Sequence, residues 1–157
     1  MSQGQRRVVA MSEEDLAAVL EIEEQSHPRP WTEAMFREEL GREWAHLSVA
    51  KEQAPSGGFV VVAFCNYWLV HDEVHLLNIA THDSVRRQGV GRELLRHIID
   101  FAVDHRCRYV TLEVRKSNAA AQGLYEGAGF QAVGLRPRYY ADNKEDAVIM
   151  LLELAVE

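Results

Sequence analysis

Val90, Leu94, Leu95, Ile98, Phe101 and Ala102 recur at helical spacing, while Arg92, Glu93, Arg96, Asp100 and Asp104 face away from them. Such a stripe has to be buried against an apolar surface. The β-rich run Val74 to Thr81 precedes this helix, and the alternating run Tyr109 to Val114 follows it. Two strands joined by a crossover helix pair in parallel, and the crossover is right-handed. This unit, residues 74–114, commits the chain to a mixed α/β fold.

The remaining segments supply the rest of one sheet. Arg7 to Met11 reads as a short strand. Ser12, followed by Glu13, Glu14 and Asp15, starts a helix with anionic groups at its positive end, and Leu16, Val19, Leu20 and Ile22 form its apolar stripe. His27-Pro28-Arg29-Pro30 ends it, and Thr32 caps a second helix that runs through Phe36 and Leu40 to Gly41. His46 to Lys51 and Phe59 to Val70 read as strands around a turn at Glu52 to Gly58. Asn118 to Gly127 reads as a short helix, Phe130 to Leu135 as a strand, Tyr139 to Lys144 as a polar loop and Ala147 to Leu154 as a last strand. The order β-α-α-β-β-β-α-β-α-β-β implies a single domain over residues 1–157, a sheet with helices packed on it.

Composition narrows the setting. A chain of 157 residues is the size of one domain. Met1 to Arg7 is followed by no apolar segment, so no signal peptide is expected, and the run Phe59 to Val70 is too short to span a bilayer. Cys65 and Cys107 lie apart in apolar runs and read as reduced core thiols, so a cytoplasmic protein with no membrane association is expected. The net charge of −7 argues against a nucleic-acid partner and is compatible with a basic protein partner.

Between strand and helix stands Arg86-Arg87-Gln88-Gly89-Val90-Gly91-Arg92. Glycines at a helix start let backbone N–H groups approach an anion, and the helix dipole and arginines add positive potential, so a pyrophosphate suits the site. Taken alone, the glycines read equally well as shaping a turn. The Lys-Ser/Thr of a P-loop and the acidic residue of a dinucleotide fingerprint are both missing, which sets those enzyme classes aside. Downstream, Glu113 alternates with Leu112 and Val114 on a strand, and Asn118 and Tyr125 are spaced to share a helix face. His71 and His75 invite a metal reading, but four strand residues span about 13 Å, too far for one zinc, and no metal site is expected. No nucleophilic Ser or Cys arrangement supports an acyl-enzyme.

The glycine loop, the preceding Leu77-Asn78-Ile79-Ala80, and Leu112-Glu113-Val114-Arg115 with Ser117-Asn118-Ala119-Ala120-Ala121 and Leu124-Tyr125-Glu126 resemble GNAT-superfamily acetyltransferases. Pro30-Trp31-Thr32-Glu33-Ala34-Met35 and Arg138-Tyr139-Tyr140 with Glu145-Asp146-Ala147 are similar to the narrower RimI family of ribosomal-protein-alanine N-acetyltransferases. The resemblance implies a GNAT fold: a mostly antiparallel sheet of about seven strands, splayed in the middle, with about four helices on both faces. It implies acetyl-CoA as cosubstrate. The thioester and pantetheine arm would lie on the backbone of Ile79, Ala80 and Thr81, the pyrophosphate on Arg87, Gln88, Gly89, Val90, Gly91 and Arg92, and Asn118 would touch the cofactor.

By the same resemblance Glu113 is the general base and Tyr125 the general acid, and a strand N–H near Ile79 or Ala80 meets the oxyanion. Trp31, Tyr139 and Tyr140 flank the acceptor groove; Asp142, Glu145 and Asp146 are candidates to meet the acceptor's positive charge, with a solvated hairpin whose tyrosines pack on the sheet edge as the alternative reading. The implied acceptor is a protein N-terminus, the alanine of a small-subunit ribosomal protein, and the enzyme a monomer or weak oligomer. An α-ammonium, with a pKa of about 8 against about 10.4 for lysine, gives up its proton for roughly 3 kcal/mol less, and a glutamate reached directly or through one water suits as acceptor, the more so if burial raises its pKa. Two departures stand out: His82-Asp83-Ser84-Val85 lacks a proline common at this turn, and Gly123 and Gly127 loosen the Tyr125 helix. The alternatives are an acetyltransferase for lysine, a polyamine or an antibiotic, and a non-catalytic acyl-CoA-sensing module.

Overall fold

The computed structural model describes residues 6–155, so the reading of the N-terminus as leaderless falls mainly outside it. The strands are β1 (Arg6–Ala10), β2 (Ala45–Gln53), β3 (Phe59–Val70), β4 (Glu73–Thr81), β5 (Tyr109–Arg115), β6 (Gln131–Arg136) and β7 (Ala147–Glu153). The helices are α1 (Leu16–Ser26), α2 (Glu33–Leu40), α3 (Val90–Asp104) and α4 (Ala119–Gly127). The seven strands form one sheet in the order β1-β2-β3-β4-β5-β7-β6. Only β4 and β5 pair in parallel, and they are the pair joined through α3.

Two apolar clusters clamp the sheet. Leu16, Val19 and Ile22 of α1 and Phe36 of α2 pack with Val49 and Phe64. Leu94, Leu95 and Ile98 of α3 pack with Val74, Leu76, Val110 and Leu112. Along β3, Ala63, Cys65 and Tyr67 belong to the α3 cluster while Phe64 belongs to the other, so strand alternation puts the clusters on opposite faces. Each large side chain so buried contributes about 1.5–3 kcal/mol. Cys65 and Cys107 are free and buried, as expected of core thiols.

Local chemistry accounts for the helix ends. Thr32 caps α2, its Oγ1 accepting from the Met35 N–H at 3.3 Å. The first helix opens one turn earlier in tight form, Glu13–Asp15, where the Asp15 carboxylate accepts from the Ser12 N–H at 2.9 Å. In the proline-free turn after β4, His82 Nδ1 accepts from the Ser84 N–H at 3.1 Å.

The sheet opens in the middle. Tyr67 pairs with Leu76 and Asn66 with Asn78, so Leu77 is an extra residue, a bulge in β4. The parallel ladder with β5 stops at the same place, Leu76 opposite Leu112. A bulge bends its strand and sharpens the local twist. Past it, Asn78 to Thr81 pair only with β3, while β5 continues alongside β7 as far as Arg115.

Candidate active site

The gap between β4 and β5 is the mouth of a cavity of about 810 Å³. Of the sequence-predicted residues, Glu113, Tyr125, Asn118, Ile79, Trp31, Tyr139 and Tyr140 line it together. They come from two strands, one helix with its N-cap residue, and two loops. Ala80 is buried in the α1–α2 cluster instead. Thr81 and residues 87–92 lie outside the cavity lining.

Residues 87–92 follow β4 in the chain and lead into α3. Gly89 caps α3 at φ +80°, a left-handed conformation that favours glycine, and a Cβ built there would meet nothing within 4 Å. The backbone here therefore faces open space. The first hydrogen bond of α3 runs from the Glu93 N–H to the Gly89 carbonyl at 3.0 Å, leaving the N–H groups of Val90, Gly91 and Arg92 outside the helical ladder. The Val90 side chain is buried, so only its main chain is available to a ligand. Arg86 pairs with Asp83 at 3.0 Å, and Arg6 reaches the Gln88 carbonyl at 3.4 Å while binding Glu93. Arg87 and Arg92 make no ion pair among the described residues. Free N–H groups, a helix dipole and two uncommitted cations fit a pyrophosphate.

Glu113 stands on the cavity side of β5, between buried Leu112 and Val114. Its Oε1 lies 3.0 Å from His75 Nε2. Burial pushes its pKa up but does not decide it. The His75 hydrogen bond outweighs desolvation, and the charges of His75 and Arg136 add to it, so Glu113 is held below the ordinary carboxylate value. Residue-by-residue reading missed His75. Its alternation with buried Val74 and Leu76 was visible, but which residue it would meet was not.

Tyr125, on α4, is buried against Phe130 with ring centroids 5.8 Å apart. Burial, with the nearby Tyr140, pushes its hydroxyl up to about 12, so it stays protonated through the neutral range. Asn118 is the N-cap of α4 rather than a member of its face, with Oδ1 accepting from the Ala121 N–H at 3.0 Å. Gly123 and Gly127 leave the helix intact.

Two walls complete the cavity. On one side buried Glu23 accepts from the Asn78 amide and from the Trp31 backbone N–H, both at 2.9 Å, which pins the α1–α2 loop to β4. On the other, Arg115 stacks 4.0 Å over the Tyr140 ring and binds Asp142 at 2.9 Å and Glu145 at 3.4 Å. Glu145 also accepts from the Ser117 N–H at 2.6 Å, and Asp146 from the Arg138 N–H at 3.0 Å. These three acidic residues hold the β6–β7 loop in place. Tyr139 crosses Tyr140 edge-on at 5.1 Å and is 49% exposed at the rim. Among the described residues no group of three or more His, Cys, Asp or Glu is placed to hold a metal ion, and no helix is long and apolar enough to cross a membrane.

Residues 16–130 match the model of the acetyltransferase (GNAT) family. The chain belongs to that family. This GNAT acetyltransferase uses acetyl-CoA as acetyl donor, and its sheet and helices have the GNAT arrangement. It is 38% identical over 144 residues to the ribosomal protein bS18-alanine N-acetyltransferase of Escherichia coli K12, covering 90% of this chain and 93% of that one. It is 37% identical over 122 residues to the N-alpha-acetyltransferase RimI of Mycobacterium tuberculosis, covering 77% and 74%. The crystal structure of the ribosomal-protein-S18-alanine N-acetyltransferase from Escherichia coli superposes with a TM-score of 0.85 at 35% identity, over 98% of this chain and 96% of that one.

Proposed function

We propose that this enzyme transfers the acetyl group of acetyl-CoA to the N-terminal α-amine of a ribosomal protein, with the N-terminal alanine of bS18 as acceptor. The relatives named for that reaction support the acceptor. The observation that carries the chemistry is the convergence of Glu113 and Tyr125 on one cavity at the splay between β4 and β5.

The thioester supplies an activated acetyl group when bound. Gly89 to Arg92 hold the pyrophosphate by main-chain N–H groups, with Arg87, Gln88 and Arg92 around it. The backbone of Ile79, Ala80 and Thr81, left unpaired on the β5 side by the splay, takes the pantetheine arm and supplies an N–H to developing oxyanion charge. Asn118 meets the cofactor beside the α4 N-terminus.

Glu113 removes the proton from the acceptor's ammonium, and the freed nitrogen lone pair attacks the thioester carbon. Tyr125, held neutral by burial, donates a proton to the departing sulfur. Trp31, Tyr139 and Tyr140 shape the groove for a chain terminus.

Mass spectrometry of an N-terminal peptide library incubated with isotopically labelled acetyl-CoA tests this reading. Peptides that begin with alanine should be acetylated first and at the α-amine. Equal rates on internal lysines, or turnover of polyamines alone, would point to another acceptor class. Acetyl-CoA binding without turnover on any amine would point to a sensing module.

A further inference from the structure

His75 has no part in the chemistry assigned so far, although it touches the centre of it. On β4 it pairs with Thr111 of β5. Glu113 is the next residue along β5 on the same face, so the two side chains are diagonal neighbours across the last rungs of the parallel ladder. His75 Nε2 and Glu113 Oε1 are 3.0 Å apart, with the imidazole side chain 33% and the carboxylate 13% exposed. Trp68 stands edge-on to the ring at 6.0 Å. Arg136 and Tyr140 also face Glu113.

An ionised carboxylate only accepts hydrogen bonds, so the imidazole nitrogen that faces it carries the hydrogen. That bond occupies one oxygen and fixes the carboxylate plane. A free glutamate side chain would rotate and offer either oxygen in any direction.

We propose that His75 is a positioning residue of the acetyl transfer: its Nε2–H holds Glu113 Oε1 and thereby presents Oε2 to the acceptor amine. In the step it serves, an N–H bond of the ammonium breaks and its proton forms an O–H bond on Oε2. The nitrogen pair so released forms the new N–C bond. His75 neither gains nor loses a proton. This rests on Glu113 being the base.

Steady-state kinetics and pH profiles of the wild type, Glu113→Gln, His75→Ala and His75→Gln with an alanine-first peptide test it. Gln keeps an N–H donor and does not titrate. His75→Ala should lower kcat by roughly tenfold to a hundredfold, the cost of a misplaced catalytic group, with acetyl-CoA affinity unchanged. Without the donor that holds Glu113 low, the acid limb of kcat/KM should move to higher pH. His75→Gln should recover most of the turnover and return the limb toward the wild-type position.

Wild-type kinetics in His75→Ala, beside an impaired Glu113→Gln, would overturn the role of His75 alone. A His75→Gln enzyme as impaired as His75→Ala would also overturn it, because the imidazole's own titration would then be required. Full turnover by Glu113→Gln would remove the assignment of the base and this role with it.

Discussion

Leu76 and Leu112 form the last rung of the parallel ladder, and the β4 bulge at Leu77 begins at the next residue. Both leucines lie in the packed core under α3, and the cavity lined by Glu113 and Tyr125 opens beside them. The fold thus places its splay one residue from its candidate base.

Glu113→Gln and Tyr125→Phe should each cut turnover by roughly two to four orders of magnitude, the usual worth of a positioned acid or base. Acetyl-CoA affinity should stay within a factor of two or so, since neither side chain is assigned to hold the cofactor. Calorimetric titration beside a thiol-release assay separates the two effects; wild-type rates in both variants at neutral pH end the assignment.

Gly89 and Gly91 should respond differently to alanine. At Gly89 a methyl group meets open space, but φ of +80° imposes strain of about 1–2 kcal/mol and places bulk on the anion-facing backbone. Acetyl-CoA affinity should fall while the acceptor KM holds. At Gly91, inside α3, the methyl makes an ordinary 3.6 Å contact with Leu124, so folding should be unharmed. Thermal melts and cofactor titrations of both variants check this.

Glu23→Ala should unmoor the α1–α2 loop. It strands the Asn78 amide and the Trp31 N–H, both now bonded to the buried carboxylate at 2.9 Å. Two orphaned donors cost about 3 kcal/mol, equivalent to a fall in Tm of roughly 6–12 °C for a domain of this size. The acceptor KM should rise with it, because Trp31 lines the cavity. A stable variant with an unaltered KM would show that this wall is not set by Glu23.

Glu113 should also leave a mark on acid stability. Its folded pKa is held below the ordinary value, chiefly by His75, so its contribution is present above the unfolded pKa and is lost as pH falls through the folded one. Melting wild type and Glu113→Gln from pH 7 down to about 3 should show a wild-type advantage at neutrality that shrinks on acidification, beginning near the unfolded carboxylate value of about 4.3. An advantage that grows toward low pH would mean that burial, not His75, dominates at this carboxylate.

Much of this arrangement could be read residue by residue. The α3 stripe, the Thr32 cap, the glycine start of α3 and the alternation around Glu113 are local matters, decided by side chains a few positions apart. Hydrophobic period and turn chemistry express such neighbours directly. The crossover rule then made β4 and β5 parallel without any further information.

Other features were out of reach because they depend on register between distant segments. His75 meets Glu113 across 38 positions and Arg115 meets Asp142 across 27, and a one-residue slip of either strand would turn those side chains to the opposite face. The same holds for Glu23, which binds Asn78 across 55 positions, and for the depressed pKa of Glu113, a product of its neighbour rather than its burial. By itself the sequence determined which elements form and which side chains are candidates for the chemistry. Only the tertiary structure decided which of them meet, because strand register and the bulge at Leu77 are settled by packing across the whole sheet.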